Sequence, residues 1–193
     1  MPRWIPRAKE RLRDSAVELF LERGYERVTV ADITERAGLT RRTFSRYFAD
    51  KRDVLFAGSE LLASAVGDAV AGADPGLSAW EATVTALREI GDQLAEELVP
   101  TAANRRVVIR SSEELQERER TKFALIATHV ADALRARGTP SPLAEVLAET
   151  GVSAFRAAFD QWLDAPEERS LSTVFDGITA ELAARIGGMT GNG

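Results

Sequence analysis

Length, composition and charge set the first limits on this chain. Its 193 residues are enough for one or two domains, and 45% hydrophobic with 28% charged residues is an ordinary soluble composition. With no cysteine and one histidine, the chain excludes disulfides and thiolate metal sites and offers no evident nucleophile–base pair, so we expect no enzyme. We also expect no membrane span, signal peptide, metal or cofactor, and hence a cytoplasmic protein.

The net charge of −5 is distributed unevenly along the chain. Residues 1–53 hold 13 Lys or Arg against 9 Asp or Glu, whereas the remaining residues hold 12 against 21. A basic head on an acidic body attracts phosphate at one end and repels DNA elsewhere. Such asymmetry also arises by chance in charged helical proteins, so it only supports other signals of nucleic-acid binding.

Helical periodicity runs through almost every segment, and no segment alternates as a strand does. A first helix is predicted from Ala8 to Arg23, where Gly24 ends it. Thr29 is a good N-cap for a second helix from about Val30 to Ala37. Gly38 then supplies the positive φ that ends this helix.

A second N-cap, Thr40, begins a short helix from Arg41 to Phe48. Phe44 and Phe48 are one turn apart and would anchor this helix to the core. The outer side is left with Arg41, Arg42, Ser45 and Arg46. Two helices around a tight turn indicate a helix-turn-helix, whose second helix enters the major groove. Guanidinium groups there read guanine edges and hydroxyls bond phosphate, although an arginine-rich surface helix is the alternative.

The rest of the chain is also predicted to be helical. A fourth helix runs from Lys51 to about Ala71 and is shared by both parts of the chain. Five more helices follow. The first begins after Ser78 and ends before Pro100, and the next three span about Ala102–Ile109, Glu113–Arg137 and Pro142–Leu163. The last begins at Ser172 and ends before Gly187. The expected fold is therefore all-α, with about nine helices.

The run from about Arg11 to Phe56 resembles the DNA-binding domain of the TetR, or tetracycline-repressor-like, regulators. The matching landmarks are Ala16, Leu19-Phe20, Gly24-Tyr25, Thr29-Val30, Asp32-Ile33, Ala37-Gly38-Leu39-Thr40, Thr43, Tyr47-Phe48 and Lys51 before Leu55. The resemblance implies a three-helix DNA-binding domain, residues 1–53, joined by the fourth helix to an effector-binding and dimerisation domain, residues 54–193. It also implies a homodimer that binds a palindromic operator in double-stranded DNA.

The same resemblance assigns DNA contacts residue by residue. Arg41, Arg42 and Thr43 sit where such proteins contact bases and nearby phosphates. Tyr47 and Lys51 sit where they grip the backbone, and Thr29 where a helix N-terminus meets phosphate. The full predicted set is Thr29, Thr40, Arg41, Arg42, Thr43, Ser45, Arg46, Tyr47 and Lys51.

Two residues depart from the family pattern. Ser45 stands where many members carry tyrosine, and Arg42 where many carry glycine. The base preference of the family therefore does not transfer, although two adjacent arginines favour guanine in each half-site. Arg46 would make part of the phosphate contact that the tyrosine makes in those members.

The resemblance further implies a small-molecule site in the second domain, whose occupation changes the separation of the two recognition helices. The candidate contacts are Trp80, Phe123, Phe155, Phe159 and Trp162 for an apolar cavity, with Arg106, Arg110, His129 and Arg156 as polar groups. Aromatics at helical spacing are more often plain core, and His129 is more often a satisfied group than a ligand contact. Arg156 is the leading polar candidate because a buried guanidinium needs an anionic partner, which could be a glutamate of the protein itself.

The helix Pro142–Leu163 carries a row of small residues that would let another helix approach closely: Ala144, Ala148, Gly151, Ala154 and Ala158. With the last helix it would form an intersubunit four-helix bundle, or else close the monomer's own core. The predicted function is a dimeric transcriptional repressor that a small molecule releases from its operator. An activator and an effector-independent DNA-binding protein of the same fold are the alternatives.

Overall fold

The structure is a computed structural model that describes the backbone of residues 7–190 and the side chains of residues 7–95 and 101–185. Its helices are α1 (Ala8–Arg23), α2 (Val30–Arg36), α3 (Arg41–Tyr47), α4 (Asp53–Phe56), α5 (Ser59–Ala71), α6 (Ala79–Arg110), α7 (Glu113–Ala136), α8 (Ser141–Trp162) and α9 (Leu171–Thr190). A 3₁₀ turn, Tyr25–Arg27, lies between α1 and α2. The described residues contain no strand, so the prediction of an all-α fold is confirmed.

Local capping explains the boundaries of the first three helices. Gly24 ends α1 with φ +80°, and its N–H donates to the Phe20 carbonyl. Thr29 and Asp32 form a reciprocal capping box at the start of α2. At the start of α3 the Thr40 hydroxyl accepts the Thr43 N–H at 3.1 Å.

The single helix predicted over Lys51–Ala71 is wrong, because the structure has two helices here, α4 and α5. They are separated at Gly58, whose φ of +93° an α-helix does not allow. The Ser59 hydroxyl donates to the carbonyl of Phe56, the last residue of α4, at 2.6 Å. A lone glycine within an apolar periodic segment gave no clear signal of this break.

The prediction that no segment has the character of a membrane span also needs a correction. Asp53–Ala71 is 19 residues long with a mean hydropathy of 1.5, which by length and composition suffices to cross a membrane, and 39% of it is buried. Core helices of soluble proteins have the same character. The break at Gly58 leaves α5 with 13 residues, fewer than the roughly 20 that a bilayer requires.

Two further helix ends were predicted wrongly. The helices expected before Pro100 and over Ala102–Ile109 form one continuous helix, α6, because a proline removes one backbone hydrogen bond but need not end a helix. The last helix continues to Thr190 instead of ending before Gly187. Residues 7–190 contain the expected nine α-helices, but only because one predicted helix divides and two others merge.

The described residues pack as two compact units. The first contains the residues up to Ser59 together with Thr101–Arg120, and the second contains Glu60–Pro100 together with the residues from Thr121 onward. The core of the first unit consists of Leu12, Ala16, Val17, Leu19, Phe20, Tyr25, Val28, Ile33, Ala37, Phe44, Phe48, Val54, Leu55, Phe56, Val108, Ile109 and Leu115. The functional boundary between residues 53 and 54 stays a prediction.

Candidate nucleic-acid interface and ligand cavity

Two phenylalanines hold α3 against the core of the first unit. Phe44 and Phe48 are 1% and 2% exposed, and their ring centroids lie 5.4 Å apart. Phe44 lies on the inner face of the seven-residue helix and Phe48 is the C-cap that follows it, so the opposite face of α3 is presented to solvent. The predicted anchoring role of both residues is therefore confirmed.

Two arginines that the sequence analysis did not single out fix α2 against α1. The Arg11 guanidinium donates to the Ala37 carbonyl, next to the turn at Gly38, where φ is +61°. The Arg36 guanidinium makes two 2.6 Å hydrogen bonds to the Glu22 carboxylate, which hold the pKa of Glu22 below its ordinary value. Both contacts hold the C-terminal end of α2, where the turn to α3 begins.

The threonines predicted to contact DNA lie at the starts of α2 and α3, where two of them cap the helix. Thr29 donates its hydroxyl to the Asp32 carboxylate at 2.5 Å and accepts the Asp32 N–H at 3.2 Å. The hydroxyl and N–H of Thr29 together lower the pKa of Asp32. The hydroxyls of Thr40 and Thr43 lie 3.0 Å apart. The Thr29 and Thr40 side chains therefore cap α2 and α3, and the DNA contacts of Thr29, Thr40 and Thr43 stay predictions.

The exposed side chains of α3 fall into two groups. Arg41, Arg42 and Ser45 are exposed, and in the part of the chain that the structure describes no hydrogen bond or ion pair engages their side chains. Arg46 instead donates to the Tyr47 hydroxyl at 2.6 Å, with its guanidinium carbon 4.8 Å from the Tyr47 ring centroid. Arg41 and Arg42 therefore keep their full donor sets for another molecule.

Lys51 is not placed as an outward-pointing cation. Its ammonium donates to the carbonyls of Tyr25 at 2.9 Å, Val28 at 3.2 Å and Glu26 at 3.4 Å. It also lies 4.1 Å from the centroid of the Tyr25 ring. These partners differ in kind from the phosphate oxygen that the sequence analysis assigned to Lys51.

A second polar cluster follows α3. The Arg52 guanidinium bonds the Asp50 carboxylate at 2.5 Å and the Glu114 carboxylate at 2.8 Å. Asp50 in turn accepts the N–H groups of Arg52 at 2.8 Å and Asp53 at 3.0 Å. Arg52 holds the pKa of Asp50 below its ordinary value. The positive charge of Arg52 is thus neutralised within the first unit.

A small apolar cavity lies inside the second unit. About 20 Å³ is open to a water-sized molecule, roughly the space of one water. The lining comes from α5, α6, α7 and α8: Leu62, Val66, Leu87, Ile90, Leu94, Phe123, Ile126, Val152 and Phe155. The cavity unites two of the predicted ligand contacts, Phe123 and Phe155, with aliphatic residues at helical spacing.

The remaining candidate ligand contacts lie elsewhere. Arg156 is exposed, so the expectation that its guanidinium is buried is wrong. Arg106 and Arg110 belong to the first unit. His129, on α7, packs against Gly67, where an added Cβ would lie 3.1 Å from the His129 Cβ. Trp80 is half-buried on α6.

Two further aromatics pack in a row with Phe155. The Phe159 ring stacks 6.4 Å from the Phe155 ring, and Trp162 lies 5.7 Å from Phe159. Their ligand contacts stay predictions. No group of three or more metal-ligating side chains is placed to hold a metal ion among the described residues.

The small residues of α8 pack within the chain. Ala144, Ala148 and Ala158 are fully buried, and a Cβ at Gly151 would lie 2.7 Å from the Thr83 Cγ2 atom of α6. At Gly151 the row therefore receives α6 of the same chain. A separate groove lies between α8 and α9, lined by Glu149, Thr150, Ser153, Ala154, Ile178 and Leu182.

Comparison with known proteins gives two family matches and a curated relative. Residues 12–57 match the family described as bacterial regulatory proteins, tetR family, and residues 77–187 match the MftR C-terminal domain. The HTH-type transcriptional regulator TcmR of Streptomyces glaucescens is 44% identical over 52 residues, which cover 27% of this chain and 23% of TcmR. The chain thus matches less than a quarter of the length of TcmR.

Several solved structures share the fold over most of the chain. The SmeT–triclosan complex has a TM-score of 0.61 at 18% identity and covers 90% of both chains. Thermus thermophilus FadR in complex with lauroyl-CoA has a TM-score of 0.52 at 21% identity, with 91% of this chain and 93% of FadR covered. Bacillus subtilis FadR in complex with stearoyl-CoA has a TM-score of 0.55 at 17% identity, with 88% and 94% covered. At these identities the likeness shows the fold alone.

Proposed function

Because the chain belongs to the TetR family of bacterial transcriptional regulators, with a DNA-binding N-terminal domain, we propose that it is a homodimeric repressor. It binds a palindromic operator and leaves it when a small-molecule effector enters the C-terminal domain. Residues 1–53 bind DNA, and residues 54–193 bind the effector and dimerise. The protein acts in the cytoplasm and carries out no catalysis of its own.

The observation that carries the proposal is the outer face of α3. Arg41 and Arg42 are exposed on a helix that Phe44 and Phe48 anchor, and their guanidinium groups have no partner among the described side chains. Two free guanidinium forks on a short helix suit the N7 and O6 atoms of guanine in the major groove. A single seven-residue helix reads only a few base pairs, so two copies are needed for an operator.

The outer surface of α8 supports the homodimer. Leu143 and Val146 are 50% and 62% exposed, and they stand on the helix that borders the groove against α9. Since the small residues of α8 are used within the chain, these larger apolar residues are the ones available to a second copy. A self-complementary contact between α8–α9 pairs gives the two-fold symmetry that a palindrome requires.

The cavity indicates the chemistry of the effector. The side chains around it are all aliphatic or aromatic, so the part of the effector that enters is apolar and uncharged. Three of the similar solved structures were determined with a ligand, which is triclosan in SmeT and an acyl-CoA in the two FadR proteins. In the present conformation the cavity holds about one water, so an effector must displace side chains such as Phe155.

The size of the cavity also favours a second candidate, an effector-independent DNA-binding protein of the same fold. A thermal-shift screen with apolar compounds separates the two candidates. An effector that binds the folded protein raises its melting temperature and releases the operator, whereas the second candidate shows neither response. An activator would instead raise transcription from a promoter that carries the operator.

Selection of duplexes from a random library tests the DNA-binding proposal directly. We expect one palindrome with guanine in each half-site, bound by two chains, with an affinity that falls steeply as salt increases. The selected duplex is then titrated at several salt concentrations beside a scrambled duplex. Equal, weak binding to both duplexes would contradict operator recognition.

A further inference from the structure

The surroundings of Lys51 point to a role other than phosphate binding. Its three carbonyl partners come from the 3₁₀ turn Tyr25–Arg27 and from Val28, the residue that ends the turn. They precede Lys51 by 23 to 26 positions in the chain. The ammonium therefore joins the connection between α1 and α2 to the segment that follows α3.

The capping box at the start of α2 engages the backbone donors that lie next to these carbonyls. The N–H of Thr29 bonds the Asp32 carboxylate at 2.8 Å, and the N–H of Asp32 bonds the Thr29 hydroxyl at 3.2 Å. The Tyr25 carbonyl accepts the Val28 N–H at 3.3 Å as well as the Lys51 ammonium. A cation that donates to such carbonyls satisfies acceptors that would otherwise need water.

All three N–H groups of the Lys51 ammonium are matched by carbonyl partners within the chain. An ammonium has three N–H groups and no acceptor, and three carbonyls lie within 3.4 Å of it. The Tyr25 ring, itself 2% exposed, faces the same cation. A phosphate oxygen would have to displace one of these partners.

We propose that Lys51 is a positioning residue that locks the α1–α2 connection to the exit of α3 and so sets the recognition helix relative to the start of α2. It acts on DNA through these elements and makes no phosphate contact of its own. The consequence for DNA reading rests on the proposed function, whereas the lock itself does not.

The test uses the full chain with Lys51→Met, which keeps the aliphatic stem and removes the ammonium. Without DNA, we expect the melting temperature of the variant to fall by about 2–8 °C and the amides of residues 25–30 to exchange faster with solvent. Tyr25→Phe is the matched control, because it keeps the ring face and removes a buried hydroxyl that has no partner among the described residues. An unchanged melting temperature and unchanged exchange in Lys51→Met would overturn the lock.

Salt titration on the selected operator then separates positioning from phosphate contact. We expect Lys51→Met to keep the wild-type slope of log affinity against log salt, whereas loss of one phosphate contact per chain reduces the steepness of the slope by about 0.9 for each of the two chains. At a temperature where circular dichroism shows the variant folded, its preference for operator over scrambled duplex should fall about fivefold or more. Arg46→Met, which removes the exposed cation that the sequence analysis assigned to phosphate, calibrates the slope. A lower slope, or an unchanged preference, would overturn the positioning role.

Lys51→Arg keeps the proposal testable if Lys51→Met does not fold. A planar fork cannot converge on three carbonyls as an ammonium does, so we expect this variant to melt below the wild type. A phosphate-binding residue would tolerate the exchange with no loss of stability. If the wild-type chain selects no operator, the proposed function fails, and the melting and exchange measurements still decide the lock.

Discussion

Gly91 allows the ring of Phe155 to pack directly on the backbone of α6. A Cβ added to Gly91 would lie 2.6 Å from the Phe155 Cε2 atom and 3.1 Å from its Cζ atom. The ring is also held by Phe175, at 5.6 Å between centroids, and by Phe159 at 6.4 Å. The space left for a displaced ring is the cavity that Phe155 lines.

The change that Gly91→Ala makes in the free energy of unfolding combines two opposing effects. Alanine stabilises a helix interior by about 0.5–1 kcal/mol relative to glycine, whereas overpacking a core costs about 1–3 kcal/mol. At Gly177, on α9, an added Cβ meets nothing within 4 Å, so only the favourable effect applies. We therefore expect Gly91→Ala to be less stable than Gly177→Ala by about 1–3 kcal/mol.

Urea unfolding of the two variants measures this difference. Equal stability of Gly91→Ala and Gly177→Ala would refute the packing of Phe155 on Gly91. Combining Gly91→Ala with Phe155→Leu should recover part of the loss, because the shorter side chain leaves room for the methyl group. An effector found by thermal shift should bind Gly91→Ala more weakly than Gly177→Ala, since the displaced ring occupies its cavity.

Three other changes give defined outcomes. Arg42→Ala should reduce discrimination between operator and scrambled duplex by about 1–3 kcal/mol in binding titrations, and a uniform loss on both duplexes would contradict base reading. Phe44→Asp should unfold the helix-turn-helix because it buries a charge, whereas the neighbouring exposed Ser45→Asp should keep the circular dichroism spectrum and lose DNA affinity. The lowered pKa of Asp32 means that its ionised form stabilises the fold above pH about 4, the unfolded value, and that this stability is lost as pH falls through the folded pKa. The melting temperature should therefore fall less between pH 5 and pH 3 in Asp32→Asn than in the wild type, and identical profiles would contradict the capping box.

The helices of the N-terminal region could be predicted because their signals are local. The residues Thr29, Gly24 and Thr40 stand at boundaries that the structure reproduces to within one residue. Each acts on backbone groups at most four positions away, so the sequence alone contains both partners. Periodicity then placed Phe44 and Phe48 on the buried face.

The errors arose where one residue type permits two outcomes. Gly58 breaks an apolar helix, whereas Gly67, nine positions later, lies inside α5 and lets His129 of α7 approach. Pro100 lies within α6, whereas Pro140 precedes α8. Tertiary packing decides between these outcomes, and a single sequence does not contain that information.

In the candidate site, too, features that depend on near neighbours in the chain could be predicted, and contacts between distant residues could not. A cap or an amphipathic face is a relation between near neighbours, so the exposed arginines of α3 follow from the sequence. The partners of Lys51 are main-chain carbonyls 23 to 26 positions away, and a carbonyl is present at every residue, so no side-chain pattern marks these three as acceptors. The family resemblance gives the position of the lysine but not the direction in which its ammonium points. In this helix-turn-helix the charged groups of Lys51, Arg11 and Arg36 all have partners within the motif, so charge alone does not identify the side chains that are free to reach DNA.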